Sequence, residues 1–273
     1  MLIRLVTVDS GNMTDMADNR VAFVTGGGSG IGAGAARRLA RQGMAVVLAG
    51  RTAEELDEVV DEIRGAGGRA MGVTVDVSDE DALVAAYRAT MAEYGRLDVV
   101  VANAGVNGRW AGIDELTADD FRSTVDINLT GTFLTIKHAV PQLRRQGGSV
   151  IVVASVNGTR IFSNSGATAY SSSKAGQVAM AKMLAVELGP DRIRVNVICP
   201  GAIDTEIGDN TQADNEDVTI DVDYPEGNIP LTGSDSGTAD QVGDLINFLA
   251  SDDSSHISGS EVWIDGAQSL LQG

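Results

Sequence analysis

Residues 21–32 read VAFVTGGGSGIG. The first five form a short apolar run suited to a buried strand, and Ile31–Gln42 continues with Ile31, Ala35 and Leu39 at helical spacing. Between strand and helix lies the loop Thr25-Gly26-Gly27-Gly28-Ser29-Gly30-Ile31-Gly32. Glycine accepts positive φ and lets backbone amides approach a ligand, while the helix N-terminus behind the loop attracts an anion. The stretch therefore predicts a pyrophosphate cradle. Its Gly26-x-x-x-Gly30-x-Gly32 spacing differs from the commoner G-x-G-x-x-G. Alone, such a loop is as well explained by a plain turn; its place between the first strand and first helix of an alternating chain is what favours a dinucleotide.

That alternation runs outward to the C-terminus. Strands are expected at Met44–Ala49, Met71–Val75, Leu97–Ala102, Ser149–Ala154, Ile193–Ile198 and Glu261–Ile264. Helices are expected from Thr52, at Glu80–Tyr94, in one long segment Ala118–Arg145, at Thr168–Leu188 and at Ala239–Ala250. Strand and helix repeating in one direction predict an α/β fold: a doubly wound parallel sheet, Rossmann-like, with helices on both faces. No linker interrupts residues 20–273, which read as a single dinucleotide-binding and catalytic domain. Residues 1–19 read as a flexible N-terminal tail, because their apolar opening is too short for a secretory segment and lacks a small-residue cleavage pattern. The acid-rich stretch Glu206–Thr232, with Pro225, Gly227 and Pro230 near its end, reads as a solvated substrate loop.

Composition narrows the function. Apolar residues make up 43% of the 273 and aromatic ones 4%, so the core must be built from Val, Ala, Leu, Ile and Met. A net charge of −18 opposes nucleic-acid and anionic-membrane binding. No apolar run is long enough to span a bilayer. The single cysteine, Cys199, forbids an intrachain disulfide and fits a reducing, cytoplasmic location. His138 and His256 lack metal-ligand spacing, so no metal is expected.

A proton-transfer site is legible in Ser155–Lys174. Tyr170 and Lys174 stand four apart, on one face of a helix, where the lysine cation is expected to lower the tyrosine pKa toward neutrality. Ser155 closes the apolar run Val150–Ala154, as a strand-end hydroxyl facing the same site. Y-x-x-x-K alone is common on solvated helices, and the rest of the chain is what gives it weight.

With these motifs in register, residues 20–267 resemble the classical short-chain dehydrogenases/reductases. The glycine loop, Asn103-Ala104-Gly105, Asn128 in DINLTG, Ser155, Tyr170 with Lys174, and Pro200-Gly201 all fall in that family's order. The resemblance implies a catalytic set of Asn128, Ser155, Tyr170 and Lys174. It implies cofactor contacts from Gly26, Ser29, Gly30, Ile31, Gly32, Arg51, Thr52, Asp76, Val77, Asn103, Ala104, Gly105, Tyr170, Lys174, Pro200, Gly201, Ile203 and Thr205. In that set Tyr170 exchanges a proton with the substrate oxygen and Ser155 hydrogen-bonds it. Lys174 also holds the ribose, and Asn128 holds a water linking Lys174 to solvent. Two departures stand out. Ala102 replaces the first Asn of N-N-A-G, and Ser155 lies fifteen residues before Tyr170, about two more than the family spacing. The longer loop Asn157–Ala167 leaves Ser163 and Ser165 as alternative serines.

The function implied is an NAD(P)-dependent oxidoreductase interconverting a secondary alcohol and a ketone, in a homotetramer as family relatives commonly are. Arg51 after the second strand, with no acid before Glu54, favours NADP(H) and leaves NAD(H) open. The acidic surface favours a free small ketone, diketone or polyol over an acyl chain on an acidic carrier. A 3-oxoacyl-(acyl-carrier-protein) reductase is the alternative enzyme, and a dinucleotide-sensing regulator the non-enzymatic one. Arg109, Trp110 and Arg160 are candidates to face the substrate.

Overall fold

Seven of the apolar runs marked as strands pair in parallel, in the order 69–74, 45–50, 21–25, 99–102, 148–153, 193–200 and 261–264; the five inner ones are buried almost along their length and the two edge ones only in part. The computed structural model describes residues 19–205, 211–214 and 229–272. These strands are β1 (Val21–Thr25), β2 (Ala45–Gly50), β3 (Arg69–Thr74), β4 (Val99–Ala102), β6 (Gly148–Val153), β7 (Ile193–Pro200) and β9 (Glu261–Ile264). The helices between them are α1 (Gly30–Arg41), α2 (Ala53–Gly65), α3 (Glu80–Tyr94), α4 (Ala118–Val125), α5 (Gly131–Leu143), α6 (Thr168–Leu188) and α7 (Ala239–Ala250), with a short α8 (Ser269–Gln272) at the end.

Strands buried on both faces need apolar side chains at odd and even positions, which is why these runs do not alternate. One face of the sheet packs Leu83, Leu134, Ile136, Leu143, Val178 and Leu188 from α3, α5 and α6. The other packs Leu39, Leu56, Ile63, Val242 and Ile246 from α1, α2 and α7. Helices α1 and α7 meet backbone to backbone: a Cβ on Gly34 would stand 2.7 Å from the Ala239 carbonyl oxygen, and one on Gly243 would stand 2.9 Å from that of Gly34. The strand order reverses between β1 and β4, so a crevice opens beyond their carboxyl ends, where ligands bind in sheets of this topology.

Two features depart from the sequence expectation. The long helix expected over residues 118–145 is two helices joined by one π-helical turn, Asp126–Thr130. Such a turn inserts one residue into the helical repeat and re-aims the side chains beside it, and here the residue at its centre is Asn128. The second departure is a separate two-stranded parallel sheet of β5 (Gly108–Ala111) and β8 (Thr211–Asp214), two segments not expected to form strands. The expected tail falls, up to residue 18, outside the described residues, as do 206–210 and 215–228 of the expected substrate loop. Among the described residues no helix is long and apolar enough to cross a membrane.

Candidate active site

A cleft of about 390 Å³ lies at the reversal point. Gly26, Ser29, Gly30, Ile31, Arg51, Thr52, Asp76, Val77, Asn103, Ala104, Gly105 and Thr205, all singled out in the sequence, line it. Gly26 and Gly30 adopt φ of +64° and +49°, which only glycine takes readily. At Gly32 the requirement is for space: a Cβ would stand 1.9 Å from the Gly26 carbonyl oxygen. Ser29 begins α1 with an extended backbone and no side-chain cap bond, leaving the first-turn amides to an anion.

Asn103 ties the loop to β4, its amide donating to the carbonyl oxygens of Thr25 (2.9 Å) and Gly26 (3.3 Å). The Thr25 hydroxyl accepts from the backbone amides of Asn103 (3.0 Å) and Ala104 (3.1 Å). These bonds hold the loop where Ala102 stands in place of the family's first Asn, and Ala102 itself is buried. Asp76 accepts from the Ser78 hydroxyl (2.6 Å) and amide (2.9 Å); these bonds, with a smaller contribution from Arg51, hold its carboxyl below the usual range. A glycine-walled cradle at a helix N-terminus, with an acid and a cation beyond it, fits a dinucleotide.

Gly32, Pro200, Gly201 and Ile203 are not among the residues that line the cleft. Gly201 is packed against Asp265 and Gln268, and Ile203 bridges to Gly237. Conversely, Gly28, Gly50, Glu55, Leu56, Val75, Val106 and Ile127 line the cleft without having been singled out. Gly50 and Val75 sit at or just beyond the carboxyl ends of β2 and β3, so the topological rule for this sheet would have found them. Nothing in the local sequence marks Glu55.

The cleft reaches the Tyr170 helix at Gly105, where a Cβ would stand 3.1 Å from Asn128 Oδ1 and 3.4 Å from Lys174 Nζ. Tyr170, Lys174, Ser155 and Asn128 are all buried. Ser155 follows β6 and caps the turn Val156–Gly158, its Oγ accepting from the Asn157 amide at 3.2 Å. Gly158 lets that turn lie directly on α6, where a Cβ would stand 2.7 Å from that of Lys174. The Ser155 hydroxyl thereby reaches the Tyr170 phenol, despite the longer loop, and is the serine whose hydrogen bond opposes the rise in the Tyr170 pKa.

The expected direction of the Tyr170 shift needs correction. Burial withdraws the phenolate from water and raises its pKa, and the Ser155 hydrogen bond opposes the rise only in part. Lys174 is buried too, and desolvation lowers its own pKa to about 8. Its Nζ donates to the Val153 carbonyl oxygen at 3.0 Å and lies 5.6 Å from the Tyr170 ring centroid.

Asn128 is held from both sides. Its Oδ1 accepts from the Val106 amide (2.8 Å), and its Nδ2 donates to the Val106 carbonyl oxygen (2.9 Å) and to Ser173 Oγ (3.0 Å). Its own carbonyl oxygen accepts from Gln177 Nε2 (2.6 Å) and Thr132 Oγ1 (2.7 Å). Ser173 and Gln177, one turn apart on α6, thus grip the π-helical turn and fasten it to the helix that carries Tyr170 and Lys174. Gln177 is fully buried and was not foreseen.

Trp110 on β5 stands beside Tyr170, with ring centroids 6.5 Å apart, and its Nε1 donates to the Asn107 carbonyl oxygen at 3.2 Å. Arg109 is bound to Asp214 (3.0 Å) and Asp120 (3.2 Å), and Arg160 stacks on Trp263 at 3.7 Å. Cys199 is buried in the sheet, which pushes its thiol pKa up to about 11 and makes it a core residue.

Comparison with known proteins agrees with this geometry. The sequence profile of a family described as enoyl-(acyl carrier protein) reductase matches residues 26–267. Cis-4-hydroxycyclohexanecarboxylate dehydrogenase of Sinomonas cyclohexanicum is 39% identical over 253 residues, covering 92% of this chain and 97% of the relative. A 3-ketoacyl-ACP reductase structure from Sinorhizobium meliloti 1021 is 50% identical with a TM-score of 0.89, covering 92% of this chain and 99% of that one. A 3-ketoacyl-(acyl-carrier-protein) reductase from Brucella melitensis, solved in complex with NADH, is 28% identical with a TM-score of 0.82, covering 93% of this chain and 100% of that one.

Proposed function

The chain belongs to the short-chain dehydrogenase/reductase family and is an NAD(P)-dependent oxidoreductase of secondary alcohols and ketones; from that premise we propose that Tyr170 is its general acid and base. The observation that carries this reading is the buried Tyr170–Ser155 pair beside Lys174, where the cleft ends at Gly105. A bound nicotinamide cofactor would supply the hydride for a ketone carbon, or take one from an alcohol. Burial keeps the Tyr170 phenol protonated at neutral pH, so it has a proton to give to the ketone oxygen as the alcohol forms. In the reverse direction its oxygen takes the alcohol proton, and that direction is expected to gain from alkaline pH. Ser155 hydrogen-bonds the reacting oxygen. Lys174, together with the cleft-lining Arg51, Thr52, Asp76, Val77 and the Asn103–Gly105 segment, would hold the cofactor. Asn128 has both amide protons and its carbonyl engaged by protein, which confines a bound water to the second lone pair of Oδ1, on the side of Gly105 and Lys174.

The substrate proposed is a free small ketone, diketone or polyol. Its support is the Trp110 indole beside Tyr170, the net charge of −18, and the engagement of Arg109 with two acids, which leaves that arginine little attraction for an acidic carrier. The 50% identity to the Sinorhizobium 3-ketoacyl-ACP reductase favours the carrier-bound reading as the alternative. Residues 20–273 are proposed to act as one domain, in the cytoplasm, in a homotetramer that would cover the exposed Phe133, Met183 and Val186.

The test is to follow NADH and NADPH absorbance across a panel of carbonyl compounds, with the same 3-oxoacyl group offered on a small thioester and on the carrier over a salt series. Turnover of small ketones, with no carrier preference, supports the reading; a carrier preference that weakens with salt overturns the substrate assignment. In the same assay Tyr170→Phe is expected to lower kcat by roughly 10²–10⁴ while dinucleotide affinity is kept. Near-normal turnover by that variant removes Tyr170 from the chemistry.

A further inference from the structure

The preference for NADP(H) expected from the sequence rests on Arg51 as a lone cation with no acid beside it. Along the chain that is correct for β2 and the turn after it. In space it is not, because α2 starts at Ala53 and its first turn brings Glu55 back to the cleft wall that Arg51 and Thr52 also line. Glu55 lies directly against the glycine loop: a Cβ on Gly28 would stand 2.9 Å from the Glu55 Cβ and 3.1 Å from its Oε2. Gly28 is itself part of the cleft wall. The absence of a side chain at residue 28 is therefore what lets the Glu55 carboxylate stand beside the loop.

The charges at this end do not cancel. Arg51 acts on Asp76, whose carboxyl it helps hold ionised, and among the described residues Arg51 makes no ion pair with Glu55. One cation thus faces two carboxylates. A ribose 2′-hydroxyl can donate a hydrogen bond to a carboxylate, whereas a 2′-phosphate brings roughly two negative charges to it. In water, two like charges brought beside one exposed carboxylate repel it by about the free energy of a tenfold change in affinity.

Resting on the dinucleotide reading above, we infer that Glu55 is a specificity-determining residue that selects NAD(H) against NADP(H). It does the work that an acid at the end of β2 does in other dinucleotide folds, from one helical turn further along the chain. Arg51 is left to pack on the adenosine and to balance Asp76. Because Glu55 and Arg51 are both exposed, the selection is expected to weaken as salt rises.

The experiment measures dissociation constants for NADH and NADPH by nucleotide fluorescence, in the full-length protein and in Glu55→Gln, at low and high salt. The unmodified protein is expected to bind NADH more tightly. Glu55→Gln should shift the NADPH-to-NADH affinity ratio about tenfold toward NADPH at low salt, and by less at high salt. Glu55→Lys, which reverses the charge, should shift it further in the same direction. Tighter NADPH binding by the unmodified protein, or a ratio that neither substitution moves, overturns the role of Glu55 and leaves the dinucleotide site standing. Binding of neither nucleotide overturns the dinucleotide reading, and this inference with it. Circular dichroism of each variant separates a change of affinity from a loss of fold.

Discussion

The two ends of the cleft are built from opposite materials. The phosphate end is mostly backbone: Gly26, Gly28, Gly30 and Gly32 stand where side chains would collide or strain, and the charges nearby, Arg51 and Glu55, are exposed. The catalytic end is built from buried polar side chains: Asn128, Ser155, Ser173, Lys174 and Gln177 each make a hydrogen bond of 2.6–3.2 Å to a side chain or to buried backbone. A backbone cradle tolerates changes in side-chain chemistry and fails when a Cβ is added. A buried polar network tolerates almost no loss of a partner, because the group left behind keeps its desolvation cost. Binding and turnover should therefore separate by mutation.

The largest effect is expected at Gly32. An alanine there places Cβ 1.9 Å from the Gly26 carbonyl oxygen, so loop and helix must part. Gly32→Ala should cost about 3 kcal/mol of stability or more and abolish NADH fluorescence enhancement, without touching the Tyr170–Ser155 pair. Titration and thermal denaturation measure both. Retained affinity would mean that the cradle is not set by this contact.

Gln177→Leu probes the other end. It removes one donor from the Asn128 carbonyl and leaves Thr132 as the other side-chain donor, at a cost of about 1–3 kcal/mol. Turnover should fall several-fold with NADH affinity nearly unchanged, and Gln177→Glu, protonated at acid pH, should recover part of it there. Equal losses in affinity and kcat would show that the network supports the whole cleft and would erase the distinction between its ends.

The smallest effect is in pH dependence. Lys174 has its pKa lowered from the ordinary 10.5 to about 8 by burial. Below pH 8 both native and unfolded chains carry the proton, and the native state bears the full cost of the buried cation. Between about 8 and 10.5 the unfolded chain holds the proton and the native chain does not, so stability rises with pH across that window. Lys174→Met lacks this dependence. The Tm difference between the two should therefore shift in favour of the unmodified protein by roughly 2–4 °C from pH 7 to pH 10, as calorimetry would show. Parallel Tm curves would place Lys174 Nζ in contact with water.

Much of the fold was legible because its signals are local. A buried parallel strand must be apolar on both faces, a helix repeats every 3.6 residues, and the turn between β1 and α1 needs glycine at Gly26 and Gly30 whatever surrounds it. The Tyr170–Lys174 spacing is local in the same way, because both residues ride on α6. The expected lowering of the Tyr170 pKa was not of this kind. A pair four apart says that a cation is near, and only burial says how far water has withdrawn from the phenol.

The amino-acid sequence by itself determined the seven strands of the main sheet, the glycine cradle and which face of α6 carries Tyr170 and Lys174, since each depends on neighbours within a few residues. Only the tertiary structure decided that Gln177 and Ser173 grip Asn128 through a π-helical turn, that Arg109 is already engaged by Asp120 and Asp214, and that Glu55 stands against Gly28 beside Arg51. Those outcomes depend on which segments meet across the sheet and on what their burial leaves unpaired. Desolvation and Coulomb interactions act through space, between groups that the chain places far apart or on different elements.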